Sequence, residues 1–186
     1  MSANGAGKGT QMVRLGWKAG TEQHAPDVLL DYAIAAEEAG FDFVAASDHF
    51  HPWAEKGQAC FVWSWLGAAA GRTKKISLGT SVTCPILRYH PAIVAQAAAT
   101  IASLAPGRFF LGVGTGEALN EYSACAEWPS YKIRRTRLDE AMALIRALWS
   151  GEIVTHNGPY YKTRQAKLYT PPPRPVPLYI SSMTPN

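Results

Sequence analysis

The stretch Phe41-Asp42-Phe43-Val44-Ala45-Ala46-Ser47, followed at once by Asp48-His49-Phe50-His51-Pro52-Trp53, decides how this chain is read. A short, nearly continuous apolar run is the mark of a parallel strand whose outer face is covered by helices. The run ends abruptly in a titratable pair. In parallel α/β barrels and open sheets, chemistry sits on the loops that leave the carboxyl ends of the strands. Asp48-His49 therefore reads as the end of a strand that carries function.

The same unit repeats on both sides. Before it, Val13 to Trp17 reads as a strand, and Pro26 opens a helix that runs to Ala39, with Gly40 at the C′ position. After it come a small-residue helix, Trp63 to Arg72, and a third strand, Ile76 to Val82. Pro91 then opens the helix PAIVAQAAATIASL, stopped by Pro106-Gly107, and a fourth strand spans Arg108 to Gly114. An amphipathic helix from Ile133 to Trp149 ends at Gly151, and Val176 to Ser181 reads as a fifth strand. Strands two to four begin near 42, 76 and 109, one per βα unit. The rhythm breaks near 152–163, where EIVTHNGPYYK reads as a small hairpin turning at Asn157-Gly158. Residues 1–12, rich in Gly and Ser, are expected to be loose, leaving one domain over 13–186.

Composition bounds the function. The 186 residues suffice for one core, and 47% hydrophobic with 17% charged content suits a globular protein. The net charge of +4 is modest. Its densest cluster, Lys132, Arg134, Arg135 and Arg137, opens a helix and alternates with apolar positions, as a solvated helix face does. No nucleic-acid partner is expected. Cys60, Cys84 and Cys125 have neither disulfide-framework nor zinc spacing, so no metal is expected and a reducing cytoplasm fits. No apolar run is long enough for a membrane span. The stretch GAGKGT near the start lacks the first glycine of a phosphate loop and has Gly9 where Ser or Thr should follow Lys8.

The ends of strands two to five are polar: Ser47-Asp48-His49, then Gly79-Thr80-Ser81-Val82-Thr83-Cys84-Pro85, then GVGTGEALN from Gly112 to Asn120, then Ser181-Ser182. His49 can act as a base near neutral pH, or be a satisfied structural side chain. Asp48 can orient that ring, contact a ligand, or cap the next segment. His51 is placed at the rim or in a structural role. Glu117 can exchange a proton with a ligand, or start a helix. Gly112, Gly114 and Gly116 do not fit the dinucleotide fingerprint and read as room for a flat ligand to approach the backbone. Trp53, Trp63 and Trp65 line a pocket or pack in the core.

SDHFHPW, GTSVTCP with the following RYHPAIVAQ, and GVGTGEALNE together resemble the luciferase-like superfamily. Within it they are similar to the coenzyme F-420 (deazaflavin)-dependent glucose-6-phosphate dehydrogenases. The resemblance runs from about Leu15 to Ile180. It implies a (β/α)8 barrel of the TIM type, here limited to about the first five βα units. It also implies hydride transfer from an alcohol or sugar-phosphate carbinol carbon to C5 of the deazaflavin. By resemblance, His49 takes the hydroxyl proton, Trp53 helps hold developing charge, and Glu117 supplies a proton on the cofactor side. Asp48, Ser81, Val82, Thr115, Gly116 and Asn120 would line the cofactor, with Ser181 and Ser182 toward its tail. A non-proline cis peptide is implied at Ser81-Val82.

Two departures qualify this. Cys84 stands where the glucose-phosphate enzymes have Thr, and a thiol is a weak hydrogen-bond partner. The chain is also shorter than the roughly 250 residues typical of such barrels. The expectation is a fragment carrying the cofactor half of a site, self-associating as a homo-oligomer through open sheet edges. Two alternatives remain: an FMN-dependent monooxygenase of the same superfamily, and a non-catalytic cofactor-binding fragment.

Overall fold

The computed structural model describes residues 13–182. The stretch expected to be loose, with its GAGKGT motif, lies outside these residues. Twelve elements follow in order: β1 Gly16–Ala19, α1 Pro26–Glu38, β2 Phe43–Ala46, α2 Val62–Arg72, β3 Ser77–Thr80, α3 Pro91–Leu104, β4 Phe109–Val113, α4 Ala118–Cys125, α5 Tyr131–Trp149, β5 Val154–Asn157, β6 Lys162–Ala166 and β7 Leu178–Ile180. β1-β2-β3-β4-β7 form one five-stranded sheet, parallel throughout. β5 and β6 pair antiparallel as a separate ribbon.

The helices start and stop where backbone chemistry directs. Pro26 and Pro91 each occupy the first turn, where a missing N–H costs nothing. Gly40, at φ +84°, ends α1; its N–H donates to Glu37 O and that of Phe41 to Ala36 O, the paired bonds of a Schellman stop. α3 presents Val94, Ala95, Ala98, Ala99 and Ala102 to the interior, and α5 packs there with Leu138, Ala141, Leu144, Ile145 and Leu148. Trp63 and Trp65 are buried among these residues, with the Trp65 indole donating to Pro26 O at 3.1 Å. They are core residues, unlike Trp53.

Close strand packing explains two glycines. A Cβ at Gly112 would run into the carbonyl oxygen of Thr80, and one at Gly79 into that of Phe110. Gly112 thus serves the close approach of β4 to β3. Gly114 and Gly116 lie nearer the site, facing Val82 and Cys84 respectively.

The first strand lies further along the chain than expected. Val13 and Leu15 are exposed, and pairing with β2 begins at Gly16↔Phe43 and reaches Ala19↔Ala46. The hairpin is longer than a two-residue Asn-Gly turn would give: Gly158 N–H donates to Tyr161 O, and β6 extends to Ala166. Glu140 on α5 anchors this loop by accepting from the amides of Tyr160 and Tyr161 and contacting His156 Nε2 at 2.9 Å. α4 is the helix whose start is one of the two readings of Glu117. Glu117 sits directly before it, and its carbonyl accepts the amides of Asn120 and Glu121.

Parallel register sets the site. Ala19, Ala46 and Thr80 are level across β1, β2 and β3. Ser81 N–H bonds Ala46 O, and Ser181 N–H bonds Val113 O. The polar residues after each strand therefore emerge side by side at one end of the sheet.

Candidate active site

At that end lies a cleft of about 500 Å³. Asp48, His49, Trp53, Ser81, Val82, Thr115, Gly116, Glu117, Asn120 and Ser181 all line it. Ser182 does not, although it directly follows. Lys18, Glu22, Ser47, Cys84, Gly114, Glu121, Tyr131 and Arg134 complete the wall. A second cleft of about 600 Å³ runs along the sheet face past Phe43, Phe110 and Tyr179 and shares Ser81, Val82 and Ser181 with the first. Its charged groups are only Arg14 and Arg108, so it presents neither a carboxylate nor an imidazole, whereas the strand-end cleft presents both.

His49 is oriented by its loop. Its Nδ1 lies 3.1 Å from His51 O, an acceptor only, so Nδ1 carries a hydrogen and Nε2 is the nitrogen left to face Glu117. The Trp53 ring meets the imidazole edge to face, with centroids 5.3 Å apart. Nε2 stands 3.9 Å from Glu117 Oε2. The imidazole is mostly covered, at 12% side-chain exposure, whereas the carboxylate is open at 54%. His51 contributes its backbone here and is itself exposed. The Ser81-Val82 peptide is cis, as the resemblance implied. Lys18 Nζ donates to Ser81 O. Burial pulls the Lys18 ammonium below its ordinary value, against the attraction of Glu22. Ser47 Oγ donates to the Glu22 carboxylate in the same wall.

Two residues expected to line a cofactor are tied to the protein through their side chains. Asp48 is buried, and its carboxylate accepts from Arg88 Nη2 at 3.2 Å, Tyr89 Oη at 3.1 Å and Thr83 Oγ1 at 2.8 Å. Burial pushes its carboxyl above the usual range, with the Arg88 charge and these donors pulling the other way. The Asn120 Oδ1 accepts from the amides of Phe50 and His51 at 2.9 and 3.0 Å, and its Nδ2 donates to Glu117 Oε2 at 3.2 Å. Asn120 thereby links the loop after β2 to the start of α4.

Sequence reasoning gave no role to Arg88, Tyr89, Glu121, Glu22 or Lys18. Arg88-Tyr89 lay in the quoted motif RYHPAIVAQ, and Glu121 closes GVGTGEALNE. A charged residue inside a buried α/β loop segment was the available signal. The basic cluster also divides: Lys132 and Arg135 are exposed, but Arg134 stacks on Trp128 at 3.7 Å and reaches the cleft. Arg137 pairs with Glu127 at 2.6 Å. Cys84 is buried in the cleft wall, and burial raises its thiol well above the ordinary value, so it has little thiolate character. Among the described residues no cluster of three or more His, Cys, Asp or Glu is placed to hold a metal, and no helix is long and apolar enough to cross a membrane.

The site also fits a wider pattern of similarity. The chain is 53% identical over 176 residues to an "F420-dependent glucose-6-phosphate dehydrogenase" of Beutenbergia cavernae, covering 94% of this chain and 52% of that protein. It is 50% identical over 175 residues to the protein of the same name from Intrasporangium calvum, covering 92% and 52%. Among solved structures, an "F420-dependent secondary alcohol dehydrogenase in complex with an F420-acetone adduct" superposes with TM-score 0.88 at 46% identity, over 91% of this chain and 52% of that one. A coenzyme F420-dependent tetrahydromethanopterin reductase from Methanopyrus kandleri shares the fold at TM-score 0.77 and 24% identity, over 92% of this chain and 51% of that one. The chain thus spans about half the length of the curated relatives it matches. The family model "Luciferase-like monooxygenase" matches residues 10–186, and with the parallel βα sheet and its strand-end cleft it establishes that this chain belongs to the luciferase-like family.

Proposed function

We propose that this chain carries the coenzyme F-420 half of an oxidoreductase site that removes hydride from a small alcohol or sugar-phosphate carbinol. The observation that carries this reading is His49 Nε2 facing the Glu117 carboxylate across 3.9 Å at the strand ends, with Nδ1 tied to His51 O. The cleft suits a flat, partly polar ring. Val82 and Trp53 offer apolar surface, while Ser81, Thr115 and Gly116 offer hydroxyl and backbone groups along its edge. These residues would hold the deazaflavin, and Ser181 and Ser182 would meet its side chain. When bound, the deazaflavin supplies the hydride acceptor at C5.

The protein's part is proton handling and orientation. His49 Nε2 takes the substrate hydroxyl proton as hydride leaves, which lowers the barrier to that departure. Trp53, packed edge-on against the imidazole, holds the ring in place and offers its indole N–H toward developing negative charge. Glu117 Oε2, at 3.9 Å, would need to close to hydrogen-bond range to exchange the proton with His49, and it is exposed enough to release it to solvent or deliver it on the cofactor side. The Asn120 Nδ2 hydrogen bond orients that carboxylate.

The test is a titration of the purified chain with F-420 and with FMN, followed by visible absorbance, alongside its mass in solution. F-420 binding that saturates, with weak or no FMN binding, is expected. Tight binding of FMN alone would overturn the reading in favour of a flavin monooxygenase. F-420 binding without turnover of any alcohol would leave a cofactor-binding fragment.

A further inference from the structure

We infer that Arg88 is a positioning residue: its guanidinium clamps the loop after β2 to α4 and so sets how His49 and Glu117 face each other. The reach of this one side chain supports it. Nη2 donates to the carbonyl of Asp48 at 2.9 Å and to its carboxylate at 3.2 Å. On the other side, Nε lies 3.5 Å from Glu121 Oε1, and the Arg88 backbone N–H donates to Glu121 Oε2 at 3.3 Å. The Arg88 side chain is 9% exposed, and both carboxylates are 1% exposed. Two buried carboxylates on separate elements thus share one cation. Neither has another charged partner among the described ion pairs.

The placement of the two anchors gives the clamp its consequence. Asp48 immediately precedes His49. Glu121 lies in the first turn of α4, and Glu117 directly precedes that helix. Asn120, between them, is the parallel link, accepting the amides of Phe50 and His51 while donating to Glu117. Without the Arg88 bridge, Asp48 and Glu121 would lose the one cation that offsets their burial and the contact that joins their two elements. The loop and α4 would separate, opening the 3.9 Å approach of His49 to Glu117. A guanidinium spans the two carboxylates at once, with Nη2 hydrogen-bonded to Asp48 and Nε held against Glu121 as an ion pair without a hydrogen bond. An ammonium in its place supplies charge at one point only. Tyr89 reinforces the fork: its hydroxyl donates to Asp48, and Arg88 lies over its ring at 4.7 Å.

What the clamp serves depends on the deazaflavin reading; the clamp itself does not. The experiment therefore has two readouts on the whole chain. Amide hydrogen exchange, without any cofactor, follows Phe50 and His51, whose N–H groups Asn120 accepts. F-420 titration follows the site. Arg88→Lys is expected to speed exchange at Phe50 and His51 while strands β2 and β3 stay protected, and to weaken F-420 about tenfold or more. Glu121→Gln, which keeps size and one acceptor, is the second variant and should produce a smaller change in the same amides. Unchanged exchange at these amides in Arg88→Lys would overturn the clamp whether or not cofactor binds. Faster local exchange with unaltered F-420 affinity would remove its role at the site. A wild-type chain that binds no F-420, with exchange at Phe50 and His51 still faster in Arg88→Lys, would refute the deazaflavin reading and uphold the clamp.

Discussion

His49 Nε2 and Glu117 Oε2 stand 3.9 Å apart, although 68 positions separate them in the chain. The covered imidazole faces the open carboxylate at the mouth of the cleft. A hydroxyl placed against Nε2 would have a base beside it and a proton exit beyond it. If that is their work, His49→Ala and Glu117→Gln should each lower alcohol turnover with F-420 by about 10²- to 10⁴-fold. His49→Ala should leave cofactor affinity nearly intact. Steady-state kinetics and absorbance titration of both variants check this; turnover unchanged in both would show that the roles are misassigned.

Gly112 and Gly71 should respond to alanine with opposite signs. At Gly112 the added Cβ meets the Thr80 carbonyl, so Gly112→Ala forces β3 and β4 apart and should cost about 1–3 kcal/mol. At Gly71, in the last turn of α2, a Cβ meets nothing within 4 Å. There alanine should stabilise by about 0.5–1 kcal/mol, because glycine loses more freedom on folding. Urea unfolding of the two variants reads both signs.

Arg108 joins the start of β4 to the end of α2. Its guanidinium donates to Thr73 Oγ1, Ile76 O, Ala70 O and Thr73 O at 3.0–3.2 Å. Arg108→Met keeps the length of the side chain but leaves those acceptors without this donor. It should lower stability by about 2–3 kcal/mol, the range for a lost charge-assisted hydrogen bond. A drop in the urea midpoint with an unchanged slope is the expected result.

Glu37 makes stability fall in acid. Burial pushes its carboxyl upward, but the amides of Lys74, Lys75 and Ile76 all donate to it, and Arg108 lies nearby. The net effect holds it below the ordinary value of 4.5. A carboxylate depressed by folding stabilises the native state above its unfolded pKa, and that contribution disappears as pH falls through the folded pKa. Glu37→Gln should therefore be less stable than the parent at pH near 7, with the gap closing well below pH 4. Melting temperatures of both proteins across that range check the sign. A gap that stays constant would show that the charge does not contribute.

How far the sequence reached can be judged at particular residues. Helix starts at Pro26 and Pro91 and the stop at Gly40 were legible, because these residues restrict or free the backbone locally. The strand rhythm was legible too, since apolar runs near 42, 76 and 109 are a one-dimensional pattern. β1 shifted because only pairing with Phe43–Ala46 decides which residues of Val13–Ala19 join the sheet. α4 was legible only as one alternative for Glu117, because its eight residues, ALNEYSAC, show no strong apolar stripe.

At the site, the residue types at the strand ends were readable from the sequence itself: Asp48-His49, Gly116-Glu117 and the serines. That is so because parallel βα units bring successive carboxyl ends to one face whatever the details of packing. Only the tertiary structure decided how those groups are used. It turned the Asp48 carboxylate inward onto Arg88, Tyr89 and Thr83, made Asn120 a bridge between two loops, and set Gly112 at the close approach of β4 to β3. The reason is physical. A polar side chain's partners come from whatever distant segments the fold brings within about 3 Å, and a buried charge takes the nearest partner that satisfies it. Proximity of that kind, between residues 35 to 41 positions apart at Asp48 and 70 apart at Asn120, is not written in any local pattern of the chain.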